Sequence, residues 1–356
     1  MRQEGQHLPV HEWDIRTRRK LLAILTCIRH AGRAVGGAKI ARQLQASGID
    51  LSQRTVRYYL KLADEQGLTE NLGRRGRRLT RKGEEELGAA LVVDRVGFIA
   101  AKVDSLAYRM KFNLRKGAGD VILNVSTLPV ASFADACREI VRVFAAGLGM
   151  GRFLTVAGPG TCLGSLQVPP DQVAIGTVCS VSLNGVLLKE GIAAVPRFGG
   201  LLEVIEGRPY RFMQIINYDG TTIDPLEIFI KGRMTTVRQA ARMGHGAIGA
   251  SFREVPAEAL PRVQEIVARM ERLGLGGVLL IGRPGQPVLD VPVPPGRVGL
   301  IVAGGLNPLA AVEESGIPTT NMALHTLFDF NRLIPYTELS GTLEHLLRPV
   351  ASPPAT

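Results

Sequence analysis

The stretch VPPDQVAIGTVCSVSLNGVLLKEGI, residues 168–192, returns as VPPGRVGLIVAGGLNPLAAVEESGI, residues 293–317, at an offset of 125. The correspondence also runs backwards. Gly158, Pro159 and Gly160 lie over Arg283, Pro284 and Gly285, Gly149 and Gly151 lie over Gly274 and Gly276, and Pro129 falls close to Pro256. Self-similarity at a fixed offset marks a duplicated unit that buries its apolar face against its copy. Each copy reads as strand, helix after a proline, strand, turn, Val-Pro-Pro, strand, then an asparagine-containing turn and a short helix ending in Gly-Ile. Two halves, about 95–205 and 206–335, are therefore expected to pack about a pseudo-dyad as one α/β (α+β) domain over 95–335. A cleft between them is the natural ligand site. Strands are expected at Val96 to Val103, Asp120 to Val125, Phe153 to Ala157, Val173 to Val181 and Val298 to Val302, and helices at 132–147, 257–273 and 308–315.

Upstream, Leu21, Leu22, Leu25 and Ile28 fall at helical spacing over 17–31, before Gly32. A second amphipathic stretch carries Ile40, Ala41 and Leu44 and ends at Ser47-Gly48. Ser52 then reads as the N-cap of a third helix that stops at Gly67. In that helix Val56, Tyr59, Leu60 and Ala63 share one face, while Arg54, Arg57, Tyr58 and Lys61 share another. Leu68 to Leu72 and Arg77 to Thr80 read as short strands joined by Gly73-Arg74-Arg75-Gly76, with a helix from Lys82 to about Leu91. Three helices and an arginine-tipped hairpin describe a winged helix-turn-helix over 17–91, preceded by a tail, 1–16, in which Trp13 is expected to act as an entry staple. Residues 336–356 form a C-terminal segment with a Pro-rich tail.

The charge agrees with a polyanionic partner for the first quarter. Of a formal net charge of +11, residues 1–90 hold 18 Lys/Arg against 10 Asp/Glu, and residues 91–356 hold 25 against 22. A helix fits the major groove of DNA and a basic hairpin reaches the neighbouring backbone or minor groove. Gln53, Arg54, Arg57, Tyr58 and Lys61 are the candidates for base edges and phosphates, with Arg74, Arg75, Arg77 and Arg78 as wing contacts. Competing readings are a solvated basic face and a winged helix that meets protein or RNA. Four arginines at a hairpin tip beside a basic helix face are costly in self-repulsion without an anion, which favours DNA.

Other classes find little support. At 46% hydrophobic and 21% charged residues the chain is typical of soluble globular proteins, with no apolar run of 18 residues, so a cytoplasmic protein without a membrane partner is expected. The four cysteines form no C-x-x-C pair and the six histidines no i, i+4 pair, so no metal site is expected. Cys137, Cys162 and Cys179 read as small buried hydrophobes. Neither a G-x-S-x-G elbow nor a G-x-x-x-x-G-K-[ST] loop occurs. Glu203, Glu206, Asp219 and Asp224 show no spacing that demands a carboxylate pair. No catalytic residue and no cofactor is therefore assigned, and the expected role is not an enzyme. The rival is an enzyme acting on a small carboxylic acid with a fused regulatory winged helix. What the duplicated region offers is glycine and asparagine turns near cations: Asn184-Gly185, Lys189 and Arg197-Phe198-Gly199-Gly200 in one half, Gly304-Gly305 and Asn307 in the other. Turn amides at a helix start with a cation alongside suit a carboxylate, although Asn-Gly is first of all a turn signal.

These residues together resemble a known family. Arg54 to Lys61, Gly67 to Arg77, Val96-Gly97-Phe98, Gly176 to Ser180, Asn184 to Lys189, Arg197 to Glu203 and Gly304 to Pro308 are similar to the NrpR nitrogen-regulatory repressors, over about residues 17 to 335. The resemblance implies a repressor that binds operator DNA near nitrogen-fixation and ammonia-assimilation genes and is released by 2-oxoglutarate, a small dicarboxylate effector. Members carry one or two effector domains. This chain resembles those with one, which implies that it pairs as a homodimer on double-stranded DNA.

Overall fold

The computed structural model describes residues 15–46, 49, 51–87 and 99–342. The chain divides after Gly97 into two compact units. The expected tail with Trp13, the helix beyond residue 87, the Val96-Gly97-Phe98 segment and the tail from 343 onward lie outside the described residues.

The first unit holds α1 (Ile15–Ala31), α2 (Gly37–Ala46), α3 (Gln53–Glu65), the strands β1 (Thr69–Asn71) and β2 (Arg77–Leu79), and a helical segment, α4, at 81–87. Leu21, Ile24, Leu25, Ile40, Leu44, Val56, Leu60 and Leu68 form its core. Each fully buried side chain of this size contributes about 1.5–3 kcal/mol. Ser52 caps α3 by accepting from the Thr55 N–H at 3.1 Å. Gly76, at φ 98°, lets the wing return against Val35, whose carbonyl carbon would stand 2.3 Å from an added Cβ.

The second unit opens with α5 (Ile99–Arg109), where a strand was expected at Val96 to Val103. Ile99, Val103, Leu106 and Ala107 are its buried residues, at i, i+4, i+7 and i+8. That is a helical stripe whose end lay beyond the window read as a strand. The first repeat then runs β3 (Asp120–Pro129), α6 (Phe133–Ala145), β4 (Phe153–Ala157), a small hairpin of β5 (Cys162–Leu163) and β6 (Leu166–Gln167), β7 (Gln172–Val178), α7 (Val181–Lys189) and β8 (Val195–Ile205). After β9 (Arg208–Asn217), α8 (Pro225–Lys231) and α9 (Val237–Met243), the second repeat runs β10 (Gly246–Pro256), α10 (Leu260–Arg272), β11 (Val278–Ile281), β12 (Arg297–Ala303), α11 (Asn307–Glu314) and β13 (Thr320–Asp329), followed by β14 (Ile334–Pro335). Each repeat is thus βαββαβ, the ferredoxin-like order.

The repeats do not close on themselves. The sheets run β13-β3-β7-β4-β14 and β11-β12-β10-β8-β9, antiparallel throughout, so each repeat sends its last strand into the sheet of the other. The halves drawn at residue 205 are therefore interlocked. Residues 336–342 belong to the body as well: Leu339 is fully buried and Tyr336 stacks on Phe144 of α6.

Equivalent positions repeat the same backbone clamp. The Cys179 N–H donates to the Ile122 carbonyl and the Gly304 N–H to the Gly249 carbonyl, each at 2.8 Å. The Ser182 hydroxyl binds both the N–H and the carbonyl of Ile122, and the Asn307 amide binds both the N–H and the carbonyl of Gly249. Because these clamps satisfy buried backbone groups, they fix where each inner strand hands over to its helix.

Candidate DNA-reading face and effector cavity

On α3 the buried residues are Val56, Tyr59, Leu60 and Ala63. Gln53, Arg54, Arg57, Tyr58 and Lys61 face solvent, Tyr58 at 61% exposure. At the wing tip Arg74 and Arg75 occupy a 3₁₀ turn and are exposed. Arg78 is exposed and paired with Glu70. Arg77 differs from the expectation of a free wing contact: its Nε donates to both oxygens of Asp64, at 3.1 and 2.8 Å, and so ties the wing to α3. Strand alternation turns Arg77 inward and leaves Arg78 outward.

The expected effector residues separate in space. Asn184 and Gly185 are not a turn but the buried interior of α7. Gly185 is required there because Met110 Cε would lie 2.5 Å from an added Cβ. Asn184 Nδ2 donates to the Ala194 carbonyl at 3.0 Å. Lys189 is held over Tyr108, donating to its carbonyl at 3.2 Å, and Arg197 pairs with Glu254 at 3.6 Å. Phe198 stacks on Phe252. Gly199 and Gly200 keep β8 close to Pro225 and to the Gln214 carbonyl of β9. Asn307 is saturated by Gly249 and the Leu148 carbonyl. Of the ten, Gly304 and Gly305 line a buried cavity, and Asn184 reaches it through a residue the sequence reading passed over.

That residue is Arg253, in β10 and 1% exposed. Its guanidinium donates to the Ser180 carbonyl at 2.7 Å, the Ser180 hydroxyl at 3.0 Å, the Ser251 hydroxyl at 2.8 Å and Asn184 Oδ1. No carboxylate pairs with it among the described residues, and its Nε has no hydrogen-bond partner. Burial lowers its pKa. A buried cation without a counter-charge costs several kcal/mol. The signal was present in the sequence: Arg253 is the one charge in the otherwise apolar run GAIGASFR at 246–253.

Ser180 and Ser251 place Arg253 directly behind a cavity lined also by Asn124, Cys179, Tyr218, Asp224, Gly304, Gly305 and Leu306. The two handover points meet there, since an added Cβ on Gly305 would lie 2.2 Å from the Val178 carbonyl oxygen. The free space is about 20 Å³, room for about one water. Burial pushes the Cys179 thiol up to about 12, so it stays a thiol. Burial also raises the Tyr218 phenol and lifts the Asp224 carboxyl to about 6, against hydrogen bonds from the Leu226 and Glu227 N–H groups. Cys137 is buried like Cys179, whereas Cys162, expected to be buried, is exposed in the β5–β6 hairpin. Two roomier hollows suit a dicarboxylate less. One of about 460 Å³ beside Asn184 is bordered by Asp104 and Asp219. Another of about 560 Å³ between α9 and α11 has Arg238 and Arg242 turned onto Glu139. Among the described residues no helix is long and apolar enough to cross a membrane, and no cluster suits a metal ion.

The comparisons with known proteins agree with this layout. Residues 96–334 match the family described as NrpR regulatory domains NRD1 and 2, and residues 22–87 match the Ribonuclease R winged-helix domain. The global nitrogen regulator NrpRI of Methanosarcina mazei is 33% identical over 320 residues, 90% of this chain and 98% of that protein. The global nitrogen regulators NrpR of Methanococcus maripaludis and Methanocaldococcus jannaschii are 30% and 32% identical over 87% and 83% of this chain, which spans about half of their length. The crystal structure of a nitrogen repressor-like protein from Methanococcus jannaschii superposes with a TM-score of 0.58 at 26% identity, covering 67% of this chain and 99% of that one. The relatives are named as regulators, and the protein is a regulator, not an enzyme. A winged helix joined to interlocked βαββαβ repeats, with this similarity along most of its length, makes the chain a member of the NrpR family of nitrogen regulatory repressors.

Proposed function

We propose that the protein is a cytoplasmic repressor of nitrogen-assimilation or nitrogen-fixation genes that binds operator DNA as a homodimer and releases it when 2-oxoglutarate binds beside Arg253. The DNA half of this reading rests on the exposed row Gln53, Arg54, Arg57, Tyr58 and Lys61 with Arg74, Arg75 and Arg78 at the wing. Two copies of α3 held about 34–36 Å apart, or a multiple of it, would read a two-fold symmetric site.

The effector half rests on the unpaired guanidinium of Arg253. An entering carboxylate supplies the missing counter-charge, with the Ser180 and Ser251 hydroxyls as positioning groups. A five-carbon dicarboxylate is far larger than the 20 Å³ free between the handover points, so it enters only by driving them apart. Since β8 and β13 cross between the sheets, that opening moves both repeats together. A coupling of about 1–3 kcal/mol, 5- to 150-fold in affinity, suffices for regulation.

The test is a gel shift on promoter fragments at fixed salt. Arg57→Ala and Arg75→Ala should each weaken binding while the oligomeric state stays unchanged, and unchanged affinity in both removes the DNA assignment. Incubation with 2-oxoglutarate should return the ligand with its mass unaltered.

A further inference from the structure

Away from the effector cavity, five cations gather around a second hollow. Arg115 and Lys116 occupy a turn closed by Asn113, whose Oδ1 accepts from both of their N–H groups at 3.0 Å. Arg262, Arg269 and Arg272 stand on α10 at i, i+7 and i+10, on one side of the helix, in a row about 15 Å long. Turn and helix wall a hollow of about 350 Å³ over Leu114 and Ile266. Arg262 holds the two nearby carboxylates, Glu190 at 2.5 Å and Glu265 at 2.7 Å. The other four cations form no ion pair among the described residues.

The concentration of charge is the telling feature. Residues 91–356 carry 25 Lys/Arg against 22 Asp/Glu, and these five cations with their two glutamates account for that whole excess of three. The remainder of the region is neutral. Like charges crowded on an exposed face repel one another until an anion meets them. A compact anion fits poorly, because every one of these guanidinium groups is exposed and the two carboxylates stand in the wall of the hollow. An extended row of exposed arginines suits a polymer of evenly spaced phosphates.

We propose that this ridge of α10 and the 113–118 turn is a second phosphate-backbone contact, gripping duplex DNA beside the segment read by the winged helix. It rests on the DNA-binding function proposed above and adds a sequence-independent grip from the effector unit.

The experiment compares the full chain, Arg57→Ala, and the triple variant Arg115→Ala, Arg269→Ala, Arg272→Ala, with Arg262 left in place to hold its glutamates. Binding to a 40-base-pair promoter duplex is followed by fluorescence anisotropy between 50 and 200 mM salt, with circular dichroism as the check on folding. Removing three phosphate contacts should flatten the plot of log affinity against log salt by about 2.7, so that the fourfold rise in salt costs the triple variant about 40-fold less than it costs wild type. Arg57→Ala should lose affinity with a change in slope of about 1 at most. A triple variant with the wild-type slope, alongside a weakened Arg57→Ala, overturns the second contact and leaves the winged-helix reading intact. Wild-type protein without any salt-sensitive binding overturns both.

Discussion

The two repeats of the effector unit share a backbone and differ in what they bury. Ser126 of β3 occupies the position of Arg253 in β10, because Ser126 lies opposite Ile175, Arg253 lies opposite Leu300, and Ile175 stands over Leu300 at the repeat offset. Ser126 donates to Asn321 Oδ1 at 2.7 Å and carries no charge. Arg253 brings an uncompensated cation to the dyad. The clamps behave differently, since Ser182 and Asn307 differ chemically yet grip the same pair of backbone groups. The duplication thus preserved the hydrogen bonds that shape the fold and confined the ligand-directed charge to one repeat. One effector site per chain follows.

Four changes would break or sharpen that contrast. Arg253→Met has the largest expected effect: loss of 2-oxoglutarate binding by about 2–5 kcal/mol, read by calorimetric titration, with stability unchanged or raised because a buried unpaired charge is removed. Ser126→Ala should leave binding intact, and equal losses in the two variants would erase the asymmetry. Next, Asn307→Ala strips partners from the Gly249 N–H and the Leu148 carbonyl, both buried. It should cost about 2–4 kcal/mol in urea unfolding of the effector unit.

The third change concerns pH. Asp224 caps α8, and Glu227 binds the Ala323 N–H. Burial lifts Asp224 to about 6 and Glu227 to about 7, the latter aided by the Asp224 charge. Both folded values lie above the unfolded ones. The stabilisation is therefore complete below about pH 4 and is lost as pH rises toward about 7, at roughly 1.4 kcal/mol per pH unit for each group. Asp224→Asn with Glu227→Gln should remove that slope, seen as the difference between wild-type and variant unfolding curves over this window. A constant difference would argue against buried protonated carboxyls. Smallest is Ser182→Ala, which loses one hydroxyl shared by Ile122 and should cost about 1–2 kcal/mol, less than Asn307→Ala.

How much the sequence disclosed followed the range of the interactions. The winged helix was legible because its signals are local: Ser52 before α3, the apolar row Val56, Leu60 and Ala63, and a wing bracketed by Gly73 and Gly76. The duplication was legible because turn residues recur at one offset. The exchange of β8 and β13 was not, since the period of a repeat is silent on which sheet edge a last strand joins. Asn184-Gly185 misled because the dipeptide favours turns, while α7 is buried all round and shows no amphipathic stripe to compete with that signal. Among effector candidates, Gly304 and Gly305 were placed at the cavity by their position after a core strand. Lys189 and Arg197 were drawn in as cations near turns, and the structure engages them with Tyr108 and Glu254 instead. Arg253 was passed over because its strand was read for its apolar alternation, although a charge inside such a run must find a partner or serve one.

The central claim is that a dicarboxylate beside Arg253 loosens the grip of α3 on DNA. It is tested most directly by anisotropy titration of a promoter duplex with and without 2-oxoglutarate, at two ionic strengths, for wild type and Arg253→Met. The account predicts that the effector weakens wild-type binding about 5- to 150-fold, while Arg253→Met binds the duplex as tightly as wild type and ignores the effector. Equal response of the two proteins, or none in wild type, would contradict it.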